Sequence, residues 1–402
     1  MRTRPINVSA VFLVMASAIS ISPLINVIGV VKGSLFSLIS LCAIYLVKLK
    51  ILSRANISEK LKFSKQALFG IATIVTVSTI NSFYWNELTL KVTVYFCSAF
   101  FIIFFLEKKD LSDYAEYMSK ILIVLLIGAF VGFLWAKIGG DAIFTITNED
   151  GRPNGLYLTT LSNTYFQGII RPSGFFDEPG ALSFYICMTV AMREKFGMNR
   201  NYSWILLILG LITTSLAHVI FMAVYWVSTE LVTFKRTITS IVVVVLTLLL
   251  LTTFDNPIGD LIILTFDRFQ VVDGVLAGDN RSSLMLNAIN YLDINTFFFG
   301  HDGDCILNSE ACALKNYDLY GENPLTLLVY WGIFLSLPYY LVQGYLLTYS
   351  VVNKNLLAFG VFIVLLQRPN VMSYGYSVII MAYVYAIASK KIHQQSLMDG
   401  KG

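Results

Sequence analysis

Residues 171–185 read Arg171-Pro-Ser-Gly-Phe-Phe-Asp-Glu-Pro-Gly-Ala-Leu-Ser-Phe-Tyr185, a polar segment punctuated by Gly and Pro that runs straight into an apolar one. The contrast decides the fold, because almost everything around this segment is lipid-soluble. An arginine and an acid pair at the mouth of an apolar run must face water, protein or a charged ligand. The segment therefore marks both the start of a membrane helix and a place where chemistry can sit.

Composition supports that reading. Of 402 residues, 56% are hydrophobic and 13% charged, with a mean hydropathy of +0.69; a soluble domain carries about 25% charged residues. The chain belongs to the polytopic membrane class, and nucleic acid is not an expected partner. The net charge of +4 says little by itself, because a membrane protein is read by where its charges fall.

A span needs about 20 apolar residues, with about 17 tolerable. On that basis helices are predicted near 6–23, 33–48, 66–83, 91–106, 120–138, 180–194, 202–215, 217–234, 237–254, 324–347, 355–367 and 371–389. The result is an all-α polytopic integral membrane protein, a single membrane domain over 1–402 with about 12 transmembrane helices. Ser215, Ala217 and His218 favour a tight outer turn within 202–234, and Gln367-Arg368-Pro369-Asn370 interrupts the last pair. The basic start, Met1-Arg-Thr-Arg-Pro, resembles a signal peptide but reads better as a first span retained as a signal anchor.

Charge asymmetry tests the topology. With both termini cytoplasmic, the inner segments hold most of the 29 basic residues and the outer ones most of the 25 acids, as the positive-inside rule requires. Two outer segments stand out by length, about 139–179 and 255–323. The second contains amphipathic stretches, Ile258–Val272 and Asn280–Leu292, that read as helices lying on the membrane surface.

The outer arginines are Arg152, Arg171, Arg268, Arg281 and Arg368, four of them in the two long loops. Arginine presents a planar fork that grips phosphate or carboxylate in two places. Arginines on an acidic outer face fit an anionic ligand; pairing with the outer acids is the plainer alternative. In 171–185, Asp177 can cap a helix, Glu178 suits the dipole of its first turn, and Pro179 is tolerated there. That account leaves Arg171, Ser173 and Phe175-Phe176 without a role.

In the second loop, His301 is the only outer-loop histidine and a candidate general base; a solvated loop histidine is the competing reading. Asp302-Gly303-Asp304 imitates an Asp-x-Asp metal motif, but the pattern is short and no metal is expected. Cys305 and Cys312 share one polar segment, as a small disulfide or as two free thiols. Cys42, Cys97 and Cys187 lie in apolar runs and read as packing residues. His218 reads as a packed or interface residue.

On Arg171-Pro-Ser-Gly-Phe-Phe-Asp-Glu-Pro-Gly, Arg281 and the Phe299-Gly300-His301-Asp302-Gly303 turn, the chain resembles the Wzy-type O-antigen polymerases, within the O-antigen ligase/polymerase superfamily. Glu322-Asn323-Pro324 and Gln367-Arg368-Pro369-Asn370 add to the likeness, and Arg152 to Gly168 matches the family's Arg-x15-Gly pattern. The resemblance implies an inverting glycosyltransferase at the periplasmic face of the bacterial inner membrane. It would polymerise oligosaccharide repeat units carried on undecaprenyl pyrophosphate into O-antigen or a related surface polysaccharide. Arg171 and Arg281 would stabilise the departing pyrophosphate, with Arg152, Arg268 and Arg368 as supporting substrate contacts. His301 or Glu178 would take the proton of the acceptor hydroxyl. No cofactor is implied, since arginine supplies the neutralising charge. The implied partners are the lipid-linked glycan, membrane lipid, a polysaccharide chain-length regulator and a flippase.

Two rivals remain. A ligase moving finished glycan onto lipid A core would use the same donor. A transporter or flippase of lipid-linked oligosaccharide would place polar groups near the bilayer midplane, whereas the predicted spans here are nearly free of charge.

Overall fold

The computed structural model describes residues 6–28, 33–52, 106–147, 153–163, 165–166, 169–230, 270–272, 275–276, 282–301, 319–367 and 374–399, with a few single positions including Cys305 and Cys312. The described chain is mostly helical. Helix α1 (Val8–Val14) continues through a π-helical turn (Met15–Ile19) and is followed by α2 (Pro23–Ile28), α3 (Gly33–Leu52) and α4 (Lys108–Lys137). Five short strands come next: β1 (Phe144–Thr147), β2 (Pro153–Tyr157), β3 (Thr160–Ser162), β4 (Tyr165–Phe166) and β5 (Ile169–Ile170). Then come α5 (Pro179–Lys195), α6 (Arg200–Gly210), a 3-10 turn (Leu211–Thr213) and α7 (Leu216–Glu230). A two-stranded ribbon, β6 (Val271–Val272) and β7 (Val275–Leu276), precedes α8 (Ser282–Asn290), α9 (Ile294–Phe299), α10 (Thr326–Val352), α11 (Leu356–Gln367) and α12 (Tyr374–Asp399).

Among the described residues, α4 and α10 are long and apolar enough to cross a membrane, and several shorter apolar helices surround them. Of the predicted helices at 66–83 and 91–106 only scattered positions are described, helical at 72, 76, 79, 95, 98–100 and 102–103, while 237–254 and most of Ile258–Val272 lie outside the described residues. Within Asn280–Leu292, Ser282–Asn290 forms a helix, α8, with Met285, Leu286 and Ile289 exposed.

Pro179 sets the start of the central helix. A residue before proline is driven to extended backbone, and Glu178, at φ −150° and ψ 156°, is the cap residue with Pro179 in the first turn. The cap thus falls one residue after Asp177, the position expected from sequence. Every side chain from Pro179 to Arg193 is buried, as suits a largely apolar helix enclosed by others. At its far end the buried Arg193 donates to Ser119 Oγ on α4 (3.0 Å), Ser203 Oγ on α6 (3.2 Å) and the Asn199 carbonyl (2.9 Å). One guanidinium ties three helices.

Helix α4 begins at Lys108 rather than near residue 120. Its first turns are charged, and they are held by their own network: Asp110 Oδ2 accepts from Lys48 Nζ at 2.6 Å and from the Glu107 N–H at 2.8 Å. Asn7 Nδ2 donates to Asp110 Oδ1 (3.0 Å) and Asp113 Oδ2 (2.8 Å). Polar contacts therefore extend the helix beyond its apolar part.

The π-helical turn leaves backbone carbonyls to outside donors. Tyr185 OH donates to the Ser17 carbonyl at 2.8 Å, Tyr114 OH to Ser17 Oγ at 2.9 Å and Ser37 Oγ to the Ala16 carbonyl at 2.6 Å. Gly375 of α12 lies so close that a Cβ there would strike the Ser17 carbonyl. Cys187 is buried, as expected, whereas Cys42 is exposed.

The first long loop departs from the all-α expectation. β1, β2 and β3 form an antiparallel sheet, with Phe144 opposite Leu156 and Gly155 opposite Ser162; β4 and β5 form a separate pair. Its strands are too short to be stable alone and gain a second surface from α4. Thr159 Oγ1 donates to the Gly128 carbonyl at 2.5 Å, and Gly132 leaves no room for a Cβ against Thr160 and the Tyr157 carbonyl. The loop packs down along α4 instead of standing clear of it.

Candidate functional site

The 171–178 segment is stitched to this sheet. The Leu161 N–H donates to the Gly174 carbonyl at 2.6 Å, and the Ser173 N–H to the Leu161 carbonyl at 2.8 Å. Ser173 Oγ donates to the carbonyls of Leu161 (2.9 Å) and Phe176 (2.8 Å). Gly174 takes φ +65°, a conformation suited to glycine. Ser22 Oγ donates to the Phe175 carbonyl at 2.7 Å. Phe176 is buried and stacks on Tyr185, with ring centroids 5.0 Å apart. Ser173 and the phenylalanine pair, left over by the capping account, are thereby explained by packing.

Arg171 is different. It is half-buried where the loop meets the helices, and it reaches the break between α6 and α7. Its Nε donates to Thr214 Oγ1 at 2.6 Å and its Nη2 to the Thr213 carbonyl at 3.2 Å. These two bonds orient the guanidinium. Thr214 itself sits in the left-handed region at φ 49°, so the break has a fixed shape at the residue that holds Arg171. The tight turn expected near Ser215 is present, and its function as an arginine seat was not visible in sequence.

Glu178 and Asp177 flank the same place, both half-buried. The Glu178 side chain makes no capping hydrogen bond to α5. Asn154 of β2, fully buried, donates from Nδ2 to the Asp177 carbonyl at 2.9 Å. Thr213, Thr214 and Asn154 are the neighbours that sequence reasoning missed. Only the Thr213-Thr214-Ser215 run between two apolar helices hinted at them.

His301 belongs to a second packing cluster, built around α8, α9 and the start of α10. Its N–H donates to the Val329 carbonyl at 2.6 Å, and its ring meets Tyr291 edge-on at 5.1 Å. Cys305 and Cys312 are disulfide-bonded, with Cα atoms 4.8 Å apart, and the Tyr320 N–H donates to the Cys305 carbonyl at 3.1 Å. Asn323 is committed to the backbone: Nδ2 donates to the Tyr320 carbonyl (2.7 Å) and Oδ1 accepts from the Leu325 N–H (2.8 Å).

Two glycines lock this cluster. Helix α10 is interrupted at Gly332 (φ 66°, ψ 174°), where a Cβ would strike the Phe298 carbonyl; at Gly300 (φ 87°) a Cβ would strike the Tyr330 carbonyl. Each backbone occupies the space that the other's side chain would need.

Arg171 and Glu178 thus lie on one segment, seven residues apart, while His301 is anchored in the other cluster. Arg152, Arg268, Arg281 and Arg368, with Gly168 and Asp302 to Asp304, lie outside the described residues. No group of three or more potential metal ligands occurs among the described residues. Comparison with family models, with curated proteins and with solved structures returns no match.

Proposed function

We propose that the chain is an inverting glycosyltransferase that polymerises oligosaccharide repeat units carried on undecaprenyl pyrophosphate, working at the periplasmic side of a bacterial inner membrane. The reading rests on the resemblance carried by Arg171 to Gly180 and on the single observation that Arg171 is held by Thr213 and Thr214 at the junction of the first loop with the helix break.

Membrane residence is supported by what the long helices expose. On α10 the outward face carries Phe334, Leu337, Leu341 and Val352, with Leu341 62% and Val352 65% exposed; the outward face of α4 carries Val124, Ile127, Val131 and Ile138. In water such faces are polar. The proposed arrangement has about 12 spans with both termini cytoplasmic, following the charge asymmetry. The Cys305–Cys312 disulfide suits the oxidising side on which that topology puts it.

Helix lengths then give the site its depth. The 11 residues of α6 and the 3 of the following turn rise about 22 Å, short of the ~30 Å hydrocarbon layer. In the proposed topology, with Arg200 at the inner surface, Thr213 and Thr214 stop below the outer one. The β2–β3 turn, seated at Gly128 and Gly132, descends along α4 in the same way. Non-helical backbone at such depth must be buried in protein or line a watery recess, and Arg171 is bonded to the first of these intrusions.

In that recess the donor's C1–O bond to pyrophosphate breaks as the acceptor hydroxyl oxygen bonds to C1 from the opposite side. Arg171, with Arg281, takes up the charge that develops on the departing pyrophosphate; Arg152, Arg268 and Arg368 hold the substrates. The hydroxyl proton passes to His301 or to Glu178. Alignment of two lipid-tethered substrates lowers the barrier further, by several kcal/mol.

The break in α10 does not favour transport. It lies near one end of the helix and is filled by the backbone of α9. Deleting the gene and separating the surface glycans on a gel tests the function. A ladder collapsed to a single repeat unit on the core supports polymerisation. An unchanged ladder rejects it, and loss of all glycan from the core together with accumulated lipid-linked polymer makes the chain a ligase.

A further inference from the structure

Helix α9 is short, but it exposes nearly everything it has. Ile294 is 78% exposed and Phe297, Phe298 and Phe299 are 38–50% exposed, while Thr296 is buried. Three adjacent exposed phenylalanines in a segment followed by a histidine are costly in water. They are also rigidly held: the Gly300 and Gly332 backbones interlock α9 with α10, and the His301 N–H is bonded to the Val329 carbonyl. The aromatic face cannot turn inward without breaking that joint.

Its height along α10 indicates what covers it. Phe298 meets Phe334, with ring centroids 5.9 Å apart, and Phe334 opens the exposed apolar row that continues through Leu337 and Leu341 to Val352. Phe334 lies two residues past the break at Gly332, toward the end of α10 that the proposed topology puts outside. The aromatic face of α9 is thus continuous with the outermost part of a lipid-facing surface. Large aromatic side chains near such a boundary are the usual occupants of the zone between headgroups and acyl chains.

We infer that α9 is a membrane wedge: Ile294, Phe297 and Phe298 insert into the outer leaflet at the headgroup–acyl boundary, and the Gly300/Gly332 joint transmits that depth to His301. The inference rests on the membrane reading of α10 and is independent of the transfer reaction. It gives the loop an attachment to lipid beside its packing on α10.

The test uses the full chain with Cys42, Cys97 and Cys187 replaced by alanine and the disulfide kept. A nitroxide is attached at Ile294→Cys, Phe298→Cys or Leu341→Cys in vesicles of phosphatidylethanolamine and phosphatidylglycerol. Collision with oxygen, which concentrates in lipid, is compared with collision with a water-soluble nickel chelate. All three labels are expected to favour oxygen, those on α9 at shallower depth than Leu341. Labels on α9 that meet the chelate freely, or meet neither reagent, overturn the wedge while Leu341 still reports lipid. A watery Leu341 overturns the membrane reading itself. Ile294 has little packing to lose, so its label decides the matter even where the Phe298 variant fails to fold.

Discussion

Arg171 Nε donates to the hydroxyl of Thr214, 2.6 Å away and 43 residues further along the chain. The bond joins the end of a folded loop to a break between two apolar helices. It allows orientation of the arginine to be separated from its charge. Thr214→Gly removes the hydroxyl and relieves a non-glycine residue from φ 49°. We expect thermal stability in detergent to hold or rise while polymer length falls. Arg171→Ala is expected to abolish long chains with normal membrane insertion, and Arg171→Lys to recover little, because lysine lacks the two-pronged fork. A full-length ladder from Arg171→Ala would remove this residue from the mechanism.

The glycine lock predicts a sharp difference within one helix. Gly332→Ala adds a Cβ against the Phe298 carbonyl at a positive φ, and strain together with overpacking costs roughly 2–5 kcal/mol. Gly344→Ala, with nothing within 4 Å of its Cβ, should be neutral or stabilising by up to ~1 kcal/mol. Unfolding midpoints of the two variants check this. Equal midpoints would mean that the interlocked backbones contribute nothing.

The Lys48–Asp110 pair, at 2.6 Å with side chains 10% and 7% exposed, should be costly to halve. Lys48→Met leaves a buried carboxylate with only the Asn7 amide and the Glu107 N–H among the partners described above, and breaking a buried pair this way costs about 3–5 kcal/mol. Adding Asp110→Asn should return part of the loss. A double variant as unstable as the sum of both single changes would contradict the coupling.

Asp293 supplies a pH test. The Thr296 backbone N–H, then its hydroxyl, holds the Asp293 carboxyl below its ordinary value. A depressed folded value means that the carboxylate's contribution to α9 is fully present above the unfolded aspartate value. It is lost as pH falls through the lower folded one. Protection of α9 amides against hydrogen exchange, taken relative to the intrinsic rate at each pH, should therefore fall on acidification below the ordinary aspartate range, and Asp293→Asn should flatten that dependence. Unchanged pH dependence in the variant would assign the effect elsewhere.

Much of the helical framework was legible because a proline restricts its predecessor and long apolar runs leave little choice. That is why α5, α8 and α10 lie near their expected positions. The start of α4 was hidden, since its first turns are charged and become helical through contacts with Lys48 and Asn7. The β1–β3 sheet was hidden too: Pro153-Asn154-Gly155 reads as a turn, and its strand character comes from pairing and from the seat on Gly128 and Gly132. At the site, Arg171 stood out in sequence as a charge beside an apolar run. Its partner was not, because nothing local to Thr214 points 43 residues back. Ser173 and Phe176, which looked functional by elimination, serve the packing of the loop.

The π-helical turn at Met15–Ile19 has a consequence for the phase of the first helix. One surplus residue advances everything beyond it by about 100° relative to an unbroken α-helix. Upstream of the turn, Asn7 must point at Asp110 and Asp113; downstream, Ser22 must meet the Phe175 carbonyl. The turn acts as an angular offset between the Asn7 fastening and the connection through which Ser22 reaches the 171–178 segment.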